Sequence, residues 1–245
     1  MQPAQAYCGS PPLPGELLER FNLDPWLIAG LLCLASLHWI WLGTHGRAPG
    51  KAAAGWSIAA AALISPLCAL SVSLFAARVA QHMILLLIAA PLIAASLPSH
   101  WRAPGALSGS AASFALLLWF WHMPLPYDAT LRSIPIYWIM HLSLFASGVW
   151  HWHALLHAER KNPVQALAAG LVTSTQMGLL GAVLSLSSRA WFDVHWFTAP
   201  AWGLSPLADQ QLGGMLMWVP GGILFFVLAL QCFARAWHKL EAMPA

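Results

Sequence analysis

A run of about 20 apolar residues has one common use, a helix across a bilayer, because only there are all backbone N–H and C=O groups satisfied inside the segment. This chain contains seven such runs in succession, at 26–42, 53–74, 79–97, 111–123, 136–156, 166–186 and 212–234. The fourth is the shortest and stops at Pro124 and Pro126. Turn-forming residues separate the runs at 46–51, 98–105, 124–135 and 160–163. The longest connection, 187–211, has room for a short interfacial helix. Charged residues make up only 8% of the 245 residues, where a soluble domain carries about 25%. The sequence therefore predicts an all-α fold, a polytopic membrane helical bundle with seven transmembrane helices. It forms one domain over 1–245, with a short polar, proline-rich arm at 1–22. The arm lacks a basic region ahead of an apolar core and so reads as extramembrane rather than as a cleaved leader. Net charge is +3 and scattered, with no basic run and no glycine-rich phosphate loop. The lipid bilayer is the expected environment, and nucleic acid is not an expected partner.

Lys and Arg give the direction. With seven spans, Arg47, Lys51, Arg102, Arg160, Lys161, Arg235 and Lys239 share one side, and Arg20, Arg78, Arg132 and Arg189 the other. The acids run the opposite way, with only Glu159 and Glu241 on the first side. This bias puts the N-terminus outside and the C-terminus in the cytoplasm. Cys8, Cys33, Cys68 and Cys232 show no CxC or CxxC spacing. Cys33, Cys68 and Cys232 fall in apolar runs and read as small core residues, Cys8 as a lone exposed thiol. Neither a disulfide framework nor a thiolate metal site is expected.

On that topology four histidines sort to the outer side: His82, His122 and His141 from three runs, and His195 from the long connection. Ionisable residues at membrane depth are costly and point to function. Imidazole with thioether suits copper, Cu(I) in particular, and methionine adjoins three of the four, as Met83, Met123 and Met140. Met123, at a helix end, is the best soft ligand. Met83 follows His82 and points about 100° away on a helix. The competing reading of the three histidines is helix-to-helix hydrogen bonding. His195, between Trp191 and Trp196, reads as an interfacial anchor. His151, His153 and His157 fall on the inner side beside Trp150 and Trp152 and read as snorkelling interfacial residues. Gln176 lies near the middle of its run and is expected to line the bundle interior. Asp128 and Arg132 are spaced to pair on one helical turn. Pro66, Pro91 and Pro220 lie within runs and predict kinks.

Three stretches resemble one family, the CtaG-type cytochrome c oxidase assembly factors of the polytopic membrane type. The first is Gln81-His82-Met83, then Leu85-Leu86-Leu87 and Ala90-Pro91-Leu92. The second is Trp121-His122-Met123-Pro124, Tyr127-Asp128, Leu131, then His141-Leu142-Ser143 and Gly148. The third is Ser205-Pro206-Leu207, Asp209-Gln210-Gln211, Gly213-Gly214 and Met217-Trp218-Val219-Pro220-Gly221-Gly222. The resemblance implies a bacterial inner-membrane protein that helps mature a haem–copper oxidase of the respiratory chain. Its implied partners are an oxidase subunit or other assembly factors, and its implied ligand is copper. The implied functional set is His82, His122, His141, Asp128 and the Asp209-Gln210-Gln211 run. Three positions depart from the family. Arg78 and Val79 stand where members often carry His-Met, and Gln176 where some carry histidine.

No catalytic constellation is visible, so the chain is not expected to be an enzyme. It reads as an oxidase assembly factor that handles copper at an outer histidine site. Two alternatives use the same histidines: a haem-binding membrane electron carrier with His82 and His141 as axial ligands, and a metal permease with a path past Gln176. No acidic relay lies in any run, which speaks against the permease.

Overall fold

The computed structural model of the chain describes residues 6–98 and 106–241, and no strand occurs among them. Most of the expected 98–105 turn, with His100 and Arg102, lies outside the described residues. Each apolar run is helical, but proline divides several of them. Helix α1 (Pro25–Thr44) starts where the Asp24 side chain accepts the Trp26 N–H and Pro25 fills the first turn. Helices α2 (Gly50–Ile64) and α3 (Leu67–Ser73) share the second run and are bent by 47°. Pro66 sets this break, forcing the preceding Ser65 into an extended conformation. Helix α4 (Phe75–Ile84) continues through a π-turn (Leu85–Ala89) into α5 (Ala90–Ser96). Helix α6 (Ala106–Trp121) is bent by 72° from the short α7 (Pro124–Arg132). Next come α8 (Ile134–Lys161), with Pro135 in its first turn, and α9 (Pro163–Leu186), capped by the Asn162 side chain. The 187–205 connection holds two short 3-10 turns and leads into α10 (Pro206–Glu241), which runs through Pro220.

Four of these units are long and apolar enough to cross a membrane alone: α1, α4–α5 as one rod, α9 and α10. Counting each bent pair as one span gives six. The expected count of seven is therefore not established, and the fifth run is the reason. It forms the middle of α8, whose buried face carries His141, Ser147, His151 and His153 among its apolar residues. A helix with so polar a face is stable only when that face is covered by its neighbours.

The α4–α5 rod is the centre of the bundle. Of its most apolar stretch 67% is buried, against 11% for α1 at the periphery. Leu32, Ile40, Leu116, Phe226 and Phe233 are exposed on the outer faces of their helices, the surface a lipid phase would cover. The π-turn in the rod has a definite cause. The Ala90 N–H reaches back five residues to the Leu85 carbonyl, and the next such bond would need an N–H on Pro91, which has none. The Trp152 indole of α8 donates to the free Leu86 carbonyl instead, at 2.7 Å. Helices α9 and α10 approach closest where Gly181 faces Gly214. A Cβ at Gly181 would lie 2.9 Å from the Gly214 carbonyl oxygen and 2.8 Å from Trp218 Cβ.

The N-terminal arm is not a loose extension. A disulfide joins Cys8 to Cys68 at the start of α3. This corrects the expectation of unpaired cysteines: 60 residues separate the two in sequence, and only the fold brings them together. Cys33 is exposed on α1 rather than in the core, and Cys232 is buried as expected.

Candidate metal centre

Three imidazoles meet inside the bundle. His82 projects from the last turn of α4, His122 from the end of α6 and His141 from the second turn of α8. All three are buried. The His82 ring lies edge-on to His122 at 5.5 Å between centroids and to His141 at 5.2 Å. His82 is thus the middle member, with His122 on one side and His141 on the other.

The hydrogen bonds of these rings decide which nitrogens are free. His122 Nδ1 lies 2.7 Å from the Leu118 carbonyl and His141 Nδ1 3.1 Å from the Tyr137 carbonyl, each four residues back on its own helix. A carbonyl oxygen only accepts, so both Nδ1 atoms carry the proton and both Nε2 atoms present a lone pair. The two Nε2 atoms and both nitrogens of His82 are buried without any hydrogen-bond partner. Buried polar atoms are almost always paired, and orphans call for a ligand or a function. A histidine whose Nδ1–H is held by a carbonyl while Nε2 stays open is the usual arrangement of a metal-binding imidazole. Among the described residues no three His, Cys, Asp or Glu groups already converge as a metal cage. The arrangement is a row of open nitrogens rather than a closed site.

Arg78 borders this row and is the residue that sequence reasoning missed. It was counted as an extramembrane charge but lies fully buried one turn before His82 on the same face of α4. Its Nε and Nη2 both reach the Ser71 carbonyl at 3.4 Å, its guanidinium lies 5.3 Å from the Tyr137 ring centre, and Nη1 has no partner. The i, i+4 spacing of Arg78 and His82 was the available signal. Tyr137 stands in the same relation to His141 and packs against its ring at 4.1 Å.

The remaining expected residues have other surroundings. Met123 caps α7 with its side chain 37% exposed, whereas Met83 and Met140 are buried in the main core. Asp128 and Arg132 do share a helical turn but form no ion pair, and Asp128 Oδ1 is buried without a partner. Gln176 is half-buried on α9, whose inward positions are Thr173, Met177 and Leu180. The Asp209-Gln210-Gln211 run acts as a clamp. Asp209 accepts the backbone N–H groups of Phe75 and Ala76 at 2.7 and 2.9 Å, capping α4 from α10. Gln210 accepts the Trp191 N–H at 2.7 Å and donates to Leu184 at 3.2 Å, and Gln211 donates to Ser187 at 3.2 Å. The run therefore holds the start of the helix that carries His82.

His195 is buried rather than an interfacial anchor. Its Nδ1 donates to the Ser73 carbonyl at 3.1 Å, so its Nε2 accepts from the Tyr127 hydroxyl at 2.7 Å. Both nitrogens are occupied, and burial, with help from the Arg78 charge, pushes its pKa down to about 3. Two of the inner histidines, His151 and His153, are likewise buried ties rather than snorkelling groups. His151 lies between Ser110 and Thr173 at 3.4 and 3.0 Å, and His153 Nε2 meets the Pro98 carbonyl at 2.8 Å.

Residues 51–239 match the family model of the cytochrome c oxidase caa3 assembly factors. The chain belongs to that family. The match takes in every residue of the histidine row, Arg78 and the Asp209 clamp, and leaves out the arm and α1. No curated protein and no solved structure matches the chain. The family assignment agrees with the resemblance read from the sequence motifs. It names an assembly role, for which no catalytic group is required.

Proposed function

We propose that this caa3-family assembly factor receives copper at His82, His122 and His141 and passes it on during oxidase maturation. The observation that carries the reading is the set of buried, unpartnered imidazole nitrogens contributed by three helices. Copper is the cargo here, not a resident cofactor. Imidazole suits copper among several transition metals, and three neutral ligands without a carboxylate leave the charge of the ion uncompensated, which favours the monovalent Cu(I). A second reason is Arg78. Its buried charge opposes any cation, and it opposes a dication about twice as strongly as a monocation. A row that is not yet a cage suits cargo, because a closed four-ligand site retains its metal.

The row lies toward the arm side of the bundle. A disulfide persists in an oxidising compartment, which supports an arm and a histidine row directed to the outer face, as the Lys and Arg bias suggests. The partner would be an oxidase subunit or another assembly factor on that face. The haem alternative loses support from the 5.2 Å contact between His82 and His141, since rings in direct contact leave no room for a macrocycle between them. In a deletion strain, a His82→Ala copy should accumulate normally in the membrane while the oxidase keeps its haem and lacks copper. A copper-replete oxidase in that strain would refute the copper role and leave the family assignment standing.

A further inference from the structure

We infer that the Cys8–Cys68 disulfide is a thiol–disulfide exchange site, and that its state controls access to the histidine row. The inference is independent of copper. Cys8 lies outside the residues matched to the family.

The two sulfurs are placed differently. Cys8 is half-buried and within reach of an incoming group, whereas Cys68 is fully buried. Exchange requires a thiolate to approach one sulfur and the other to leave as a thiolate, and access decides which is attacked. The surroundings of Cys68 suit the leaving role. Its Sγ lies 3.5 Å from Asn22 Nδ2, which can donate a hydrogen bond to that sulfur alone, while the Tyr137 hydroxyl is shared, 3.5 Å from Cys8 and 3.8 Å from Cys68. Arg78 stands over the same tyrosine.

The step balances without any further reagent. A thiolate of an outer-face dithiol attacks Cys8 Sγ, the sulfur–sulfur bond breaks, and its electron pair leaves on Cys68, which then takes a proton. The second thiol of the partner attacks the mixed disulfide and releases Cys8. The partner gains a disulfide, and the Cys8–Cys68 pair gains two electrons and two protons.

The consequence follows from what the bond holds down. Tyr7, next to Cys8, packs on Tyr137 at 4.7 Å and on Trp138 at 4.9 Å, and its hydroxyl bonds to Asp24. Tyr137 in turn covers His141. The arm is thus a latched cover over the His141 end of the row, whose three rings are buried. Reduction removes the covalent latch and leaves the aromatic contacts of Tyr7 and single hydrogen bonds, such as Tyr7 to Asp24 and Ser73 to the Pro12 carbonyl, to hold the arm.

The test uses the full chain in detergent with Cys33 and Cys232 replaced by serine. Brief exposure to glutathione, quenched with acid, should give a glutathione adduct on Cys8 and a free Cys68. Dithiothreitol without denaturant should then render His141, and after it His82, reactive toward diethyl pyrocarbonate, while the oxidised protein stays protected. A Cys8→Ser, Cys68→Ser variant should be reactive under both conditions. An adduct on Cys68, a bond inert until the protein is denatured, or histidines equally protected after reduction would each overturn the inference. None of these readouts involves metal, so failure here and failure of the copper reading are separate results.

Discussion

At the scale of single residues, the histidines fall into two kinds that substitution should separate. His82, His122 and His141 leave nitrogens unpaired, so alanine there strands no new partner outside the residue's own helix. His195 ties the Ser73 carbonyl to the Tyr127 hydroxyl. Its loss leaves the buried Tyr127 hydroxyl unsatisfied, at about 1–3 kcal/mol, while the Ser73 carbonyl keeps the Thr198 hydroxyl. His195→Ala should therefore lower the amount of protein in the membrane, whereas His82→Ala should not. Immunoblots of the two variants at equal expression check this. His195 also has a pH signature. Its folded pKa, about 3, lies below the ordinary value of 6.5, so the folded state binds fewer protons than the unfolded one. Its contribution to stability is complete above about 6.5 and is lost as pH falls toward about 3. Limited proteolysis should find the 187–205 connection more easily cut at pH 5 than at pH 7, and a His195→Gln variant should lose that dependence.

Among the elements, two junctions depend on single side chains. Trp152 satisfies the Leu86 carbonyl that Pro91 leaves without a donor, so Trp152→Phe should cost about 1–3 kcal/mol. A lowered thermal midpoint in detergent would show it. Gly181→Ala forces a methyl against the Gly214 carbonyl, whereas Gly178, one turn earlier on α9, faces open space. The first change should destabilise by about 1–3 kcal/mol, and Gly178→Ala should be neutral or slightly stabilising. Equal effects of the two would contradict the close packing of α9 on α10. The elements were the legible part of the sequence. Apolar runs located each helix, and Pro66, Pro124 and Pro135 located breaks and starts, because proline acts through local sterics. The Cys8–Cys68 bond and the buried position of Arg78 were not legible, since both depend on which distant segments meet. The same holds for the clamp formed by Asp209: the motif pointed to importance, and only the fold shows that it caps α4. The histidine row was half legible. Its members were identifiable from depth and neighbouring methionines, but the open nitrogens required the helices in place.

The whole molecule joins a bundle centred on the α4–α5 rod, a row of open imidazoles beside a buried arginine, and a disulfide-tied arm over one end. If the arm and the 187–205 connection share the outer face, cysteine introduced at exposed Ser205 should react with an impermeant maleimide in intact cells, and cysteine at Asn162 should not. The reverse pattern would turn the row toward the cytoplasm, where the disulfide would not persist. The central claim is that the row binds copper, and titration with Cu(I) against a coloured chelator tests it most directly, with the purified protein and its histidine variants all carrying serine at the four cysteines so that no thiol competes. The chain with wild-type histidines should withdraw one Cu(I) per protein, His82→Ala should withdraw none, and His153→Ala should match the wild type. Equal Cu(I) uptake by wild type and His82→Ala, or none by either, would contradict it.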